Sequence, residues 1–253
     1  MESVAEPMPV GFPNCRRCPY RRLDRPDVCL DCAFRQDRAA SPLVCPICEQ
    51  GLGKGVQCGN DWCGRADRWW SMVWSVGHHV GAWRFALASY KYRADMGFAA
   101  VFGRLLVGYL DEHMPWFDDY DALVPMPAFM GRGARRGWDP VGCFVAAAEQ
   151  LAGRRWPVEH GVVIKVAETP AMAGLSLSRR QACAEGALRH ALRVNDRHRV
   201  QGARVLVVDD VFTEGSTLRE VARALRLAGA EEVAGVALAR QPWGPRCWPS
   251  AAA

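Results

Sequence analysis

Hydrophobic positions along this chain follow two periods, and each change of period marks an element. Val205 to Val208 is a run of β-branched and aliphatic residues, long enough for a buried strand and too short for a helix. Leu218 to Ala228 follows with Leu218, Val221, Leu225 and Ala228 at helical spacing, and Glu232 to Ala239 (EVAGVALA) reads as another buried strand. Upstream, Trp83 to Leu110 repeats apolar residues at three and four and predicts helix, with a break near Gly97. Tyr120 to Met126 predicts a strand, Val141 to Leu151 a helix and Val158 to Val166 a further strand. This alternation predicts an α/β fold: an open, mostly parallel sheet with helices on both faces, binding ligands at the C-terminal ends of its strands.

The first 66 residues lack such periodicity and carry paired cysteines instead: Cys15/Cys18, Cys29/Cys32, Cys45/Cys48 and Cys58/Cys63. Three pairs are C-x2-C and the fourth has the spacer GNDW, so two thiolates of one tight turn can reach one metal. Eight ligands make two closed, structural Zn²⁺ sites with no open coordination position. Spacing leaves open whether these pair sequentially or crossed. The opening residues MESVAEPMPVGFPN show no export signal, which favours metal over disulfides and predicts a cytoplasmic protein. Phe98 to Leu110 is too short to span a bilayer and is broken by Arg104, so no membrane insertion is expected. The expected organisation is a zinc module at 1–66, a helical connector at 67–115, the α/β domain at 116–241 and a disordered Pro-rich tail at 242–253.

The formal charge of +5 falls close to neutral if eight thiolates hold two Zn²⁺, so it does not itself indicate nucleic-acid binding. Basicity is local: Ser176 to Arg204 sets seven arginines against Glu185 and Asp196. Trp69, Trp70, Trp74 and Trp83 could stack single-stranded bases or cement the cysteine module to the main domain. Without dense basic residues among them, cement is the better reading.

The chemistry concentrates in Arg204 to Thr217, RVLVVDDVFTEGST. A strand ends in Asp209 and Asp210. A loop with Thr213, Gly215, Ser216 and Thr217 then opens a helix, whose N-terminal amides make a phosphate site. The paired carboxylates stand where the hydroxyls of a phosphorylated sugar, or its Mg²⁺, would lie. The pattern is neither GxGxxG nor GxxxxGK[ST]. It resembles the PRPP-binding motif of type I phosphoribosyltransferases, and the rest of the chain is similar to the ComF family (ComFC and GntX-like proteins), where a Cys-rich segment precedes that fold.

The resemblance implies that Asp209 and Asp210 are the catalytic pair, and that Val211, Thr213, Glu214, Gly215, Ser216 and Thr217 bind PRPP. Arg132 and Arg136 fall on family positions in VPMPAFMGRGARRGWDP, similar to the pyrophosphate loop VPVP…R…RGFNQ. Lys91 in YKY and Arg180 in TPAMAGLSLSRRQACAEGAL match further family positions and are expected at phosphate or an acidic ligand. The chain departs from the family where Trp138, Asp139 and Pro140 replace Phe, Asn and Gln. Met172 replaces Gln, Cys183 Asn, Leu188 Phe and Glu214 Thr. The implied activity is PRPP/Mg²⁺ binding with transfer of a phosphoribosyl group and release of pyrophosphate. The alternative is a non-catalytic protein that binds single-stranded DNA and DNA-uptake or recombination proteins in competence.

Overall fold

The structure, a computed structural model, describes residues 44–52, 57–112, 117–153, 156–172 and 174–242. Cys15, Cys18, Cys29 and Cys32 and the tail beyond Pro242 lie outside the described residues. Four parallel strands form the main sheet in the order β1-β6-β5-β2. They are β1 (Val73–His78), β2 (Ala122–Pro125), β5 (Arg204–Phe212) and β6 (Glu232–Arg240). Val205, Leu206, Val207 and Val208 are wholly buried between neighbours on both edges and both faces, which is why this run reads as continuously apolar.

β1 lies in the segment expected to be a helical connector. It pairs with β6 from Val73↔Gly235 to His78↔Arg240 and forms the outer strand of the sheet. Two-residue alternation is blurred there because Val73, Trp74, Val76 and Gly77 are all buried. Trp74 packs edge-on against Phe117 at 4.8 Å between ring centroids and against Tyr120 at 6.2 Å. The strand expected over 158–166 is divided. Val158 bridges Leu123 at the edge of β2, the chain turns at Gly161 (φ 72°), and β3 (Val163–Lys165) pairs antiparallel with β4 (Leu192–Val194). Gly161 supplies the left-handed conformation that this reversal requires.

Helices α1 (Gly81–Arg93) and α2 (Gly97–Glu112) connect β1 to β2, breaking where Ala94 turns left-handed at φ 53°. α3 (Pro140–Ala152) begins at Asp139, whose Oδ1 accepts the Gly142 N–H at 3.0 Å, with Pro140 in the first turn. α2 and α3 cross so closely that a Cβ on Gly103 would lie 2.7 Å from the Ala148 nitrogen. α4 (Leu177–Cys183) runs into a π-turn over Ala184–Leu188, and α5 (Ser216–Leu227) links β5 to β6. α2 and α3 pack together on the face to which Trp74 points, Trp74 meeting Tyr109 of α2 through Phe117, while Leu218 of α5 packs on the opposite face against Gly235 beside Val73. The fold is thus the expected type I phosphoribosyltransferase-like sheet covered on both faces.

Trp70, Trp74 and Trp83 are 2%, 4% and 2% exposed and belong to the core, whereas Trp69 reaches the surface. They form no stacking platform. Cys45, Cys48, Trp62 and Cys63 join the same buried cluster, so the cysteine turn is continuous with the α/β core. Among the described residues no helix is long and apolar enough to cross a membrane.

Candidate functional site

Asp209 and Asp210 do not end a strand. β5 continues through them to Phe212, with Asp209 opposite Ala237 and Phe212 opposite Arg240, because β6 is equally long. The two carboxylates therefore leave opposite faces of the strand. The Asp209 carboxylate turns back to accept the Asp210 N–H at 2.8 Å. Lys91, on the last turn of α1, places Nζ 2.7 Å from Asp210 Oδ2 in a mostly buried ion pair. Burial first, and the Asp210 charge second, push the Asp209 carboxyl up to about 8, with Lys91 pulling the other way. At this site Asp209 therefore favours its protonated form, beside the Lys91–Asp210 ion pair.

Beyond Phe212 the chain makes a tight loop into α5. Gly215 caps the helix at φ 103°, and a Cβ there would meet the Phe212 ring at 3.0 Å and the Trp70 ring at 3.2 Å. Those two rings form an edge-to-face pair at 5.9 Å beneath the loop. Ser216 in the first turn is 2% exposed, and its hydroxyl has no hydrogen-bond partner among the described residues. Glu214, which stands where the family has Thr, is buried and turned to Arg180: Arg180 Nη1 donates to Glu214 Oε2 at 3.1 Å. Its charge is thus committed to the arginine of α4, which hangs over the loop. The Glu214 carbonyl accepts from Asn60 Nδ2 at 2.9 Å.

The arginine loop after β2 approaches the site from the α1 side. Arg136 lies over the Tyr92 ring at 5.2 Å, next to Lys91 in sequence, while Arg132 is exposed. Arg135 is fixed elsewhere, its amide donating to Glu168 and its Nη2 to the Thr169 carbonyl at 3.1 Å. Asp139 serves as the cap of α3, and Trp138 packs on Tyr90 at 4.7 Å while the Tyr90 hydroxyl donates to the Pro140 carbonyl. The departures at 138–140 build a local anchor. Burial raises the Asp139 carboxyl, with Asp210 adding to the effect, so its negative charge is disfavoured. Of the other positions that depart from the family pattern, Leu188 is buried, while Met172 packs partly buried against the core.

Cys45, Cys48, Cys58 and Cys63 bring their sulfurs within 4.8 Å of one another. Cys48 and Cys58 are 3.6 Å apart, and Cys58 and Cys63 are 3.8 Å apart. A tetrahedral site with Zn–S bonds of ~2.3 Å separates its sulfurs by about 3.8 Å, so this quartet could hold a cation of that size. These are neighbouring pairs in sequence, the sequential arrangement. The Cys48 thiol is drawn down to about 5 by the Cys63 hydrogen bond and by Arg240, while burial chiefly pushes Cys58 up to about 11. Arg240, buried at the end of β6, binds the group together: it donates to Gln50 Oε1 at 3.2 Å and to Ser75 Oγ at 3.2 Å, and approaches Cys48 Sγ at 3.9 Å. Its guanidinium also covers the Phe212 ring at 4.9 Å.

A second link joins the cysteine turn to α5. Arg219 lies over the Trp62 ring at 4.5 Å and pairs with Asp67 at 2.7 Å, Glu185 at 3.1 Å and Glu220 at 2.7 Å. Glu220 is wholly buried and accepts both nitrogens of the Arg189 fork at 2.7 and 2.9 Å. Sequence reading missed Asn60, Arg240 and this network. Asn60 looks like spacer between two ligands, and Arg219 and Glu220 look like solvated helix charges.

Fold and site together define a phosphoribosyltransferase-like α/β protein with a cysteine cluster built onto its motif loop. The phosphoribosyl transferase domain family matches residues 160–247. Competence protein F of Haemophilus influenzae is 29% identical over 217 residues, covering 83% of this chain and 90% of that protein. DNA utilization protein YhgH of Salmonella typhi is 27% identical over 211 residues, covering 81% of this chain and 87% of that one. The chain is a homologue of these two proteins and carries a phosphoribosyl transferase domain, as the ComF resemblance implied. Among solved structures, an allosteric regulatory enzyme of purine biosynthesis overlaps 56% of this chain with a TM-score of 0.34 and 25% identity, the overlap spanning 26% of its own length. A hypoxanthine phosphoribosyltransferase from Staphylococcus aureus overlaps 58% of this chain and 65% of its own, at a TM-score of 0.34 and 12% identity.

Proposed function

We propose that this protein binds PRPP with Mg²⁺ at the C-terminal ends of β2 and β5, and transfers the phosphoribosyl group with release of pyrophosphate. The observation that carries this reading is the buried Ser216 hydroxyl at the start of α5, without a hydrogen-bond partner among the described residues, on the loop that follows the acid pair. A 5′-phosphate there would take the Ser216 and Thr217 hydroxyls and the amides of Thr213 to Thr217. Asp209 and Asp210 would receive the ribose hydroxyls, directly or through Mg²⁺, whose charge offsets the burial that keeps Asp209 protonated. The bond from the ribose anomeric carbon to the diphosphate oxygen breaks with its electron pair going to pyrophosphate, and an acceptor nucleophile forms the new bond. Arg132 and Arg136 would stabilise the leaving diphosphate, and the carboxylates the cationic sugar. The cysteine quartet at 45, 48, 58 and 63 would hold one structural Zn²⁺. Cys15, Cys18, Cys29 and Cys32 are proposed to hold a second.

Calorimetric titration of the metal-loaded protein with PRPP and Mg²⁺, beside the double variant Asp209→Asn, Asp210→Asn, tests this reading. Saturable wild-type binding that the variant loses is expected; no binding by the folded protein would overturn it.

One surface supports a second reading, the binding of single-stranded DNA; one of the two relatives is named a DNA utilization protein. On α1, Phe85 and Tyr92 are 59% and 65% exposed, with Arg93 at 5.9 Å from the first ring and Arg136 at 5.2 Å from the second. Exposed rings interleaved with arginines suit stacked bases and a phosphate backbone. A salt-dependent oligonucleotide titration that Phe85→Ala, Tyr92→Ala abolishes would favour it, and a flat titration would remove it.

A further inference from the structure

The cysteine quartet and the proposed phosphate loop meet at one side chain. Asn60 stands in the turn between Cys58 and Cys63 and is 3% exposed. Its four polar groups are all engaged, the backbone carbonyl accepting the Cys63 N–H at 3.0 Å. The backbone N–H donates to Cys58 Sγ at 3.4 Å, Oδ1 accepts the Trp62 N–H at 3.1 Å as cap of the short 3-10 turn Asp61–Gly64, and Nδ2 donates to the Glu214 carbonyl at 2.9 Å. The last bond joins positions 154 residues apart. It lands on the peptide that connects Glu214 to Gly215, the middle of the loop whose amides would bind phosphate. Opposite sides of that loop are already blocked, by the Trp70 and Phe212 rings under Gly215 and by Arg180 on the Glu214 carboxylate.

We infer that Asn60 is a positioning residue for the phosphate loop, through which the closed cysteine turn holds the amides of Thr213 to Thr217 in their ligand-binding orientation. Asn60 cannot itself reach the ligand, since it acts from behind the loop on a carbonyl. A cation held by the four sulfurs fixes the 58–63 turn, and so fixes the position of Nδ2. Loss of that cation, by chelation or by oxidation of the thiolates, would release the Glu214 carbonyl and loosen the loop without disturbing Asp209, Asp210 or Lys91. The ligand side of this inference rests on the PRPP reading; the loop-ordering side does not.

Asn60→Ser separates the roles. A serine hydroxyl still caps the 3-10 turn and the backbone N–H still faces Cys58, but no donor reaches Glu214. Metal content of the variant should match wild type, and its melting temperature should fall by no more than a few degrees, the loss of one buried hydrogen bond. Its amides at 213–217 should exchange with deuterium about tenfold faster, while those of β5 and β6 stay protected, and PRPP–Mg²⁺ should bind about tenfold more weakly, the loss of one hydrogen bond. As a second route, stripping the metal from wild-type protein should speed exchange over 213–217 in the same way. Unchanged exchange over 213–217 in either the metal-loaded variant or the stripped wild type, with the sheet still protected, overturns the inference. If neither protein binds PRPP but the loop loosens as stated, the positioning role stands and the PRPP reading falls.

Discussion

Lys91 Nζ lies 2.7 Å from Asp210 Oδ2, so the one lysine expected at phosphate is engaged with the acid pair that precedes the loop. Both groups are mostly buried, and the pair ties α1 to β5 across the site. Removing one partner of such a pair leaves the other desolvated and unpaired, at a cost of about 3 kcal/mol. Lys91→Met should lower the free energy of urea unfolding by roughly that amount at pH 8. An unchanged unfolding midpoint would show that the pair contributes nothing.

Asp209 gives the site a pH dependence with a definite sign. Its folded carboxyl is raised to about 8 from the ordinary aspartate range of about 4, so the folded state binds a proton that the unfolded state has already lost over that window. Stability contributed by this group is full at acid pH, falls through the window between those values and is lowest above it. Asp209→Asn keeps an oxygen to accept the Asp210 N–H and removes the ionisation. The variant should melt higher than wild type at pH 9 and converge with it towards pH 4. A constant difference across the range would show that Asp209 ionises normally.

The buried network on α5 should respond in the opposite direction. Burial alone would raise the Glu220 carboxyl, but hydrogen bonds from Arg189 and Arg223 outweigh it and hold the group below its usual range. Its stabilisation is present above the ordinary glutamate value and is lost as pH falls through the depressed one. Arg189→Ala removes a two-pronged partner and should destabilise by about 2–3 kcal/mol in chemical denaturation at pH 7. The gap between variant and wild type should narrow when the melts are repeated at pH 3.

Cys48→Ser tests the quartet directly. Cys48 is wholly buried, and its sulfur faces Cys58 at 3.6 Å and Arg240 at 3.9 Å. If the quartet holds zinc as proposed, the variant should carry one zinc fewer per chain by elemental analysis and melt well below wild type, because a metal bound there would supply folding energy to this turn. Unchanged zinc content would assign the metal elsewhere.

Much of this arrangement could be read from residue order, and what could not has two causes. Val205 to Val208, the acid pair and the helical spacing after Ser216 are local signals, and each element stands within a few residues of where the pattern puts it. The same holds for α3 and β6. β1 was hidden because Trp74 and its neighbours bury both faces of the strand, erasing the two-residue alternation. Glu214 shows the other limit. Its identity marks a departure from Thr, but only the approach of Arg180, 34 residues upstream, decides where its charge is spent. Asn60 and Arg240 act across 154 and 192 residues, and nothing in their immediate neighbours announces it.

Arg240 at the end of β6 has a consequence for synthesis on the ribosome. The cysteine turn leaves the exit tunnel early, yet the guanidinium that packs against Cys48, Gln50, Ser75 and Phe212 is among the last residues of the sheet to be made. β1 likewise waits for β6, its one partner strand among the described residues. A nascent chain interrupted before residue 240 therefore holds a four-cysteine turn and an edge strand without Arg240 and β6, so this N-terminal part closes only after β6 has been made.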